Sequence, residues 1–167
     1  MAETKTLVLN HKQIEQKITR IAYEIYERNL SEEGVVFAGI AGMGYRLAKM
    51  LSDKLKEISP LPVELMEVKL DKNAVVQGEV TLSADLNLGN KSIILVDDVQ
   101  NTGKTLAYAL KPFLEMPLKK MEIAVLVNRS HKLFPVTPDY TGFELSTTLN
   151  EHIEVDLESA QNTVHLH

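Results

Sequence analysis

The sequence predicts a single α/β domain in which helices flank a central parallel sheet. Three short, largely apolar runs carry this prediction, because strands buried on both faces in parallel sheets do not alternate apolar with polar residues. They are Val35–Ile40, Ile93–Val96 and Met121–Val127. Helical patterns follow the first two runs, over Tyr45–Ile58 and Leu106–Met116, where Pro112 is expected to kink or end the second helix. With 167 residues, we expect one domain over the whole chain, 1–167.

A first helix is predicted from Leu9 to Asn29. Asn10 can cap it, Gln13 completes a capping box, and Leu9 and Ile14 are spaced as a hydrophobic staple. Its apolar residues then fall on one face at helical spacing: Ile14, Ile18, Ile21, Ala22 and Ile25. This helix is structural.

The remaining segments predict a small β excursion and a sheet edge. Val63–Leu70 reads as a strand, and Val75–Val76 with Glu79–Leu82 as an antiparallel partner. Asp139–Glu144 is predicted to be an edge strand and Ile153–Leu157 a last strand. Ser159–His167 is interpreted as a tail.

Composition excludes several classes of protein. Hydrophobic residues make up 44% and charged residues 25%, as in ordinary globular proteins. The absence of cysteine excludes disulfides, zinc–thiolate sites and thiol nucleophiles. Met1–Leu9 lacks the pattern of a secretory signal and no apolar run approaches a membrane span, so we expect a cytoplasmic protein with no membrane partner. The net charge of −5 argues weakly against nucleic-acid binding.

The stretch from Ser92 to Thr105 carries the chemistry. Four apolar residues run into Asp97 and Asp98, and a Thr-Gly-Lys-Thr turn then opens a helix. Ligands of open α/β sheets bind just beyond the carboxyl ends of such strands. This is therefore where a ligand is expected.

The turn suits a phosphate and the acids suit a sugar. Gly103 permits close approach of the backbone, while Thr102, Lys104 and Thr105 add two hydroxyls and an ammonium beside a helix start. The two carboxylates repel phosphate, and ribose hydroxyls or an adjacent Mg²⁺ are their natural partners. Together they match a ribose 5-phosphate.

Other interpretations fit less well. A nucleotide P-loop needs glycine five positions before Gly103, where this chain has Asp98. A phospho-acceptor receiver domain would place its acid pair after the first strand. A buried strand with an ordinary capped turn is the remaining alternative, but the full Asp-Asp-x-x-x-Thr-Gly-x-Thr spacing is uncommon.

The segment Val96–Thr105 resembles the phosphoribosyl-pyrophosphate signature of type I phosphoribosyltransferases. Further likeness points to the branch of pyrimidine operon attenuation regulators that are also uracil phosphoribosyltransferases. It lies in 19–24, 27–29, 47–49, 124–131 and 139–142, and so spans nearly the whole chain apart from a shortened middle.

The resemblance implies Mg²⁺-dependent displacement of pyrophosphate from phosphoribosyl pyrophosphate by a nitrogenous base, with uracil favoured. Asp97 and Asp98 would hold the ribose hydroxyls and, indirectly, the metal. Arg129 would lie near the base, with His131 a weaker candidate. The 5-phosphate would be bound by Val99, Gln100, Asn101, Thr102, Gly103, Lys104 and Thr105, and the pyrophosphate by Ala41, Gly42, Met43 and Gly44.

Two departures from the family put full catalysis in doubt. Ala41 and Met43 stand where the pyrophosphate turn usually presents Lys or Arg, although Arg46 follows one turn later. A plain strand-to-helix turn explains this segment equally well, and its glycines are wrongly spaced for a dinucleotide fingerprint. The mobile lid is shortened to Leu70–Asn73 and lacks arginine, which leaves only Lys69 and Lys72 nearby.

These departures support a second hypothesis, a regulator that senses a nucleoside monophosphate with little catalysis. The resemblance implies a homo-oligomer, a dimer, and RNA as a further partner. Thr137 stands where a basic residue would be expected for RNA binding, so that partner is doubtful.

Overall fold

The computed structural model describes residues 4–71, 79–83 and 87–167. Within these ranges the chain forms nine strands and four helices. The strands are β1 (Thr6–Leu9), β2 (Val35–Ile40), β3 (Val63–Lys69), β4 (Thr81–Leu82), β5 (Ser92–Gln100), β6 (Lys120–Asn128), β7 (Tyr140–Glu144), β8 (Ile153–Asp156) and β9 (Thr163–Leu166). The helices are α1 (His11–Arg28), α2 (Met43–Ile58), α3 (Lys104–Ala109) and α4 (Lys111–Leu114).

The main sheet confirms the predicted parallel architecture. Its order is β4-β3-β2-β5-β6-β7, and all neighbours are parallel except β3 and β4. Strand β5 lies in the middle, and alternate side chains from it enter two separate cores. Ile94 and Val96 pack with α1 and α2 on one face. Ile93 and Leu95 pack with α3 and α4 on the other, as expected for a doubly covered sheet.

Helix α1 begins as the capping signal predicts. Asn10 Oδ1 accepts from the Gln13 amide at 2.9 Å, and Gln13 Oε1 accepts from the Asn10 amide at 2.9 Å. The five predicted apolar residues are all buried. Leu9, however, belongs to strand β1 rather than to the helix.

The predicted helix over Leu106–Met116 is divided in the structure. Helix α3 ends at Ala109, and α4 begins at Lys111 with Pro112 in its first turn. Proline is tolerated there because a backbone N–H in the first turn of a helix has no partner within the helix. Among the described residues, no helix has both the length and the hydropathy to cross a bilayer.

The β excursion is confirmed in part. Strand β4 pairs antiparallel with the end of β3, through Leu82 opposite Val68 and Thr81 opposite Lys69. Val75–Val76 and Lys72 lie outside the described residues.

The tail prediction for residues 159–167 is wrong. Thr163–Leu166 is the central strand of a second, three-stranded sheet of order β1-β9-β8, and Val164 is fully buried in it. The small sheet beside the main domain is thus made from both ends of the chain, and the excursion around residues 63–82 is not its source. Pairing between segments over 150 residues apart leaves no local sequence signal.

A buried polar network ties the amino ends of the strands to α1. Asn29 Oδ1 accepts from Ser92 Oγ at 2.8 Å, and Asn29 Nδ2 donates to Glu122 Oε1 at 3.3 Å. Tyr140 Oη donates to Glu122 Oε2 at 2.9 Å. Burial and this hydrogen bond raise the pKa of the Tyr140 phenol, so it remains a neutral donor. The network fixes the sheet at the end opposite the candidate site.

Candidate functional site

A cavity of about 470 Å³ opens at the carboxyl end of β5. It brings the predicted sugar and 5-phosphate residues into one wall and adds two residues not assigned from the sequence, Leu106 and Ile153. The lining residues are Asp97, Asp98, Val99, Gln100, Asn101, Thr102, Gly103, Lys104, Thr105, Leu106 and Ile153.

The two acids lie within β5, which continues past the predicted end at Val96. Asp97 is opposite Val125 in β6, and the pairing extends to Gln100 opposite Asn128. Successive strand residues point to opposite faces, and the two acids differ in accessibility. Asp97 is 2% exposed, and its Oδ1 accepts from the Asp98 amide at 2.9 Å, whereas Asp98 is half-buried. Asp98 is therefore the acid more open to a ligand.

Hydrogen bonds of the Thr102 side chain and backbone fix the turn after β5. Gly103 has φ +87°, a left-handed conformation that favours glycine, and immediately precedes α3. Thr102 Oγ1 accepts from the Lys104 amide at 3.2 Å, and the Thr102 carbonyl accepts from Leu133 and Phe134 amides at 2.8 and 3.0 Å. The turn is thus braced on segment 133–134.

Gln100 lies next to the same turn, since a Cβ at Gly103 would lie 3.5 Å from Gln100 Nε2. It is 3% exposed, and its Nε2 donates to the Val136 carbonyl at 2.8 Å. Its Oε1 is buried without a hydrogen-bond partner within the described part of the chain. Gln100 therefore ties the end of β5 to the backbone at Val136.

The second turn, Ala41–Gly44, contacts strand β5 through Gly44. A Cβ at Gly44 would lie 2.9 Å from Asp97 Oδ1 and 3.0 Å from the Val96 carbonyl oxygen. Gly42 has φ +93° and caps α2 with no side-chain hydrogen bond. Ala41, Gly42 and Met43 do not line the 470 Å³ cavity, so this turn borders the site rather than forming its wall.

Arg46 and Lys69, the described cations considered as replacements for the missing charge in that turn, have other contacts. Arg46 Nε donates to the Leu157 carbonyl at 3.3 Å, which ties α2 to the end of the small sheet. Lys69 is 62% exposed and lies 3.6 Å from Glu67 Oε1. Both side chains thus make contacts with residues outside the Ala41–Gly44 turn.

Arg129 lies beside the site in an adjoining cavity of about 470 Å³, which shares Asn101 and Thr102 with the first. Its guanidinium is committed to the protein through four hydrogen bonds, to the side chains of Asn101 and Thr147 and to two backbone carbonyls. His131 lines the same cavity, and its Nε2 lies 2.6 Å from the Thr147 carbonyl. Both side chains organise the loop before β8.

The donor set fits a metal carried mainly by its substrate. No group of three or more metal-ligating side chains lies close together among residues 4–71, 79–83 and 87–167. The acid pair still offers hard oxygen atoms, which suit a Mg²⁺ ion that keeps water and substrate phosphate as its other ligands.

Ile153 is the site residue that the sequence assigned to structure alone. It lies in β8, about 50 residues after the turn, and reaches the cavity only because the small sheet folds over the carboxyl end of β5. Its apolar side chain resembles any strand residue, so no local signal could have identified it.

Comparison with known proteins agrees with the geometry. A family model described as the phosphoribosyl transferase domain matches residues 6–162. The chain is 34% identical over 161 residues to a bifunctional protein PyrR of Limosilactobacillus reuteri, covering 90% of each chain. It is 33% identical over 160 residues to the bifunctional protein PyrR of Clostridium kluyveri, covering 92% of this chain and 90% of the relative.

Solved structures share the fold at lower identity. A hypoxanthine-guanine phosphoribosyltransferase from Bacillus anthracis has a TM-score of 0.72 at 22% identity, covering 87% of this chain and 85% of its own. The hypoxanthine phosphoribosyltransferase of Trypanosoma cruzi has a TM-score of 0.76 at 14% identity, covering 89% and 84%. The family match over most of the chain, together with the cavity at the end of β5, shows that the chain belongs to the type I phosphoribosyltransferase family.

Proposed function

We propose that this protein binds phosphoribosyl pyrophosphate and transfers its 5-phosphoribosyl group to a nitrogenous base, a uracil-like pyrimidine, in nucleotide salvage. The observation that carries the proposal is the single cavity wall that joins the acid pair to the Thr102–Thr105 turn. The PyrR relatives favour the pyrimidine.

The sugar phosphate would occupy the cavity with its phosphate at the start of α3. Amide groups of the turn, the hydroxyls of Thr102 and Thr105 and the ammonium of Lys104 would donate to the phosphate oxygens. Asp98 would accept from the ribose hydroxyls, supported by Asp97 behind it. Bound Mg²⁺ would neutralise charge on the leaving pyrophosphate.

In the transfer step, the bond from the anomeric carbon to pyrophosphate breaks and a bond to the base nitrogen forms. The nitrogen's proton leaves to solvent or to the departing pyrophosphate. No side chain attacks the sugar. The protein's contribution is to position both reactants and to place negative charge beside a sugar that becomes cationic in the transition state. The acid pair supplies that charge.

The base would lie between the turn and the small sheet. Ile153 supplies an apolar surface there, and an apolar wall suits the face of a flat heterocycle. This position also places the base within reach of Asn101.

A second candidate function is a cytoplasmic regulator that binds a nucleoside monophosphate with little turnover. It is favoured by the uncharged Ala41 and Met43 and by the engagement of Arg46 with the Leu157 carbonyl. The relatives are named bifunctional proteins. A dimer and a weak RNA interaction would belong to this candidate.

A turnover assay separates the two functions. The protein is incubated with phosphoribosyl pyrophosphate, Mg²⁺ and uracil, hypoxanthine, guanine or adenine in turn, and nucleotide product is measured. Formation of uridine monophosphate supports the enzyme. Binding of uridine monophosphate without formation of any product supports the regulator, and failure to bind either nucleotide or phosphoribosyl pyrophosphate contradicts both.

A further inference from the structure

Arg129 joins two segments that are far apart in sequence. It is 7% exposed, and its Nη1 donates to Asn101 Oδ1 at 2.9 Å, in the turn that follows β5. On the other side, Nε donates to Thr147 Oγ1 at 2.8 Å, and Nη2 donates to the carbonyls of Thr148 and Glu151 at 3.1 and 2.6 Å. Four of its five N–H donors therefore connect the turn to the loop before β8.

These two segments form opposite walls of the candidate site. Asn101 lines the cavity directly, and Glu151 precedes Ile153, the apolar lining residue of β8, by two positions. His131 reinforces the same loop, because its Nε2 must donate to the Thr147 carbonyl, which can only accept. The spacing of the two walls thus depends on a planar fork of donors with a fixed geometry.

Arg129 also fixes the amide of Asn101. A guanidinium has no acceptor, so the side-chain oxygen of Asn101 must face it and the NH₂ group is what remains for a ligand. A nucleobase with a carbonyl or imine acceptor matches that donor.

We propose that Arg129 is a positioning residue that holds Asn101 and Ile153 at the separation a nucleobase requires, and so sets affinity for the base without touching the sugar phosphate. The proposal rests on the proposed function of the same cavity. It differs from a base-contacting role for Arg129, because the guanidinium donors are bonded to the protein.

The test compares two probes by titration calorimetry, ribose 5-phosphate and uridine 5′-monophosphate, on the wild type and on Arg129→Lys. Lysine keeps the charge but carries its donors on one atom, so it cannot bridge both segments. We expect uridine monophosphate to bind roughly tenfold more weakly and ribose 5-phosphate to change by less than about twofold, since small misplacement of a site wall is costly only for the group it contacts. Lys132→Met is the control, because Lys132 lies near Arg129 in sequence but its ammonium donates to Thr137 Oγ1 instead. This variant should leave the ratio of the two affinities unchanged.

Equal losses for both probes, or no loss for either, would overturn the positioning role, because a merely structural residue would not change their ratio. Thr147→Val removes the acceptor of Arg129 Nε together with the longer 3.5 Å contact to His131 Nε2, and it gives a second reading if Arg129→Lys does not fold. This variant should lower the ratio of the affinity for uridine monophosphate to the affinity for ribose 5-phosphate by about threefold, and an unchanged ratio contradicts the proposal. If the wild type binds no ribose 5-phosphate, the proposed function itself is wrong, and this inference falls with it.

Discussion

At the scale of single residues, the proposed sugar site depends on the acid pair and on Gly44, which contacts Asp97. Asp97 is buried against the start of α2, while Asp98 is more accessible. The motif predicted both as ligands of the ribose. The structure adds a difference in accessibility, because Asp98 is half-buried whereas Asp97 is almost fully buried.

Replacing both acids with amides, Asp97→Asn with Asp98→Asn, should lower affinity for phosphoribosyl pyrophosphate by about a hundredfold while the protein stays folded, because hydrogen bonds from hydroxyls to charged acceptors are lost. Calorimetry and a thermal melt measure the two quantities. Asp53→Asn, at an exposed acid of α2, is the control. Unchanged affinity in the double variant would remove the assignment of the acids to the ribose.

Gly44→Ala tests the close contact between the start of α2 and strand β5. Alanine would gain about 1 kcal/mol of helix propensity, but its Cβ would meet the Val96 carbonyl at 3.0 Å and Asp97 Oδ1 at 2.9 Å. Because backbone limits relaxation there, we expect a net loss of about 1–2 kcal/mol of unfolding free energy and weaker binding of phosphoribosyl pyrophosphate. Urea unfolding measures the first effect. Gly89→Ala, where the nearest atom lies 3.4 Å away, should be close to neutral, and equal stability of the two variants would contradict this account.

At the scale of elements, local signals predicted the core strands and α1 well. The capping box at Asn10 and the apolar periodicity of α1 depend on neighbours within four residues, so a sequence can reveal them. The end of β5 was misplaced for a different reason. Acidic side chains normally end a buried strand, but here the ladder to β6 continues through them to Gln100.

Two carboxyl groups of β8 are expected to make the stability of the small sheet depend on pH. Lys5, which directly precedes β1, holds the pKa of Glu154 below its usual range through a hydrogen bond and its positive charge. Hydrogen bonds from the Ser159 hydroxyl and amide lower the pKa of Asp156 in the same way. A carboxyl whose folded pKa is depressed stabilises the fold above its unfolded pKa, near 4.3 for Glu, and this contribution is lost as the pH falls through the folded value.

Lys5→Met should therefore reduce the dependence of the unfolding free energy on pH below about pH 5. Above that pH, the slope of the curve should hardly change. The pair is half exposed, so the effect is small. Urea midpoints of wild type and variant between about pH 3 and pH 7 measure it, with Lys12→Met on α1 as the control. Parallel curves for wild type and Lys5→Met would show that the pairing does not operate in solution.

At the scale of the whole molecule, the site exists because the two ends of the chain meet above the central sheet. Strand β9 lies between β1 and β8, and this sheet brings Ile153 over the turn that follows β5. The motif around Asp97–Thr105 predicted the family and one wall of the cavity. It could not predict the opposite wall, because Ile153 and the bonds of Arg129 to 147–151 arise from contacts distant in sequence.

The same long-range contacts changed the interpretation of Arg129. The family resemblance implied a place near the base, and the structure places Arg129 in a cavity that adjoins the candidate site. Burial and four bonds to the protein were not visible in a sequence that shows only an arginine after an apolar strand.

The most direct test of the sugar-phosphate site is calorimetric titration of the wild type with phosphoribosyl pyrophosphate, with and without Mg²⁺. Saturable binding at one site per chain that tightens when Mg²⁺ is present is the expected result, because the acid pair and the pyrophosphate together offer the oxygen ligands that the ion prefers. Absence of binding in both conditions would contradict the assignment of the β5 cavity to a phosphorylated pentose.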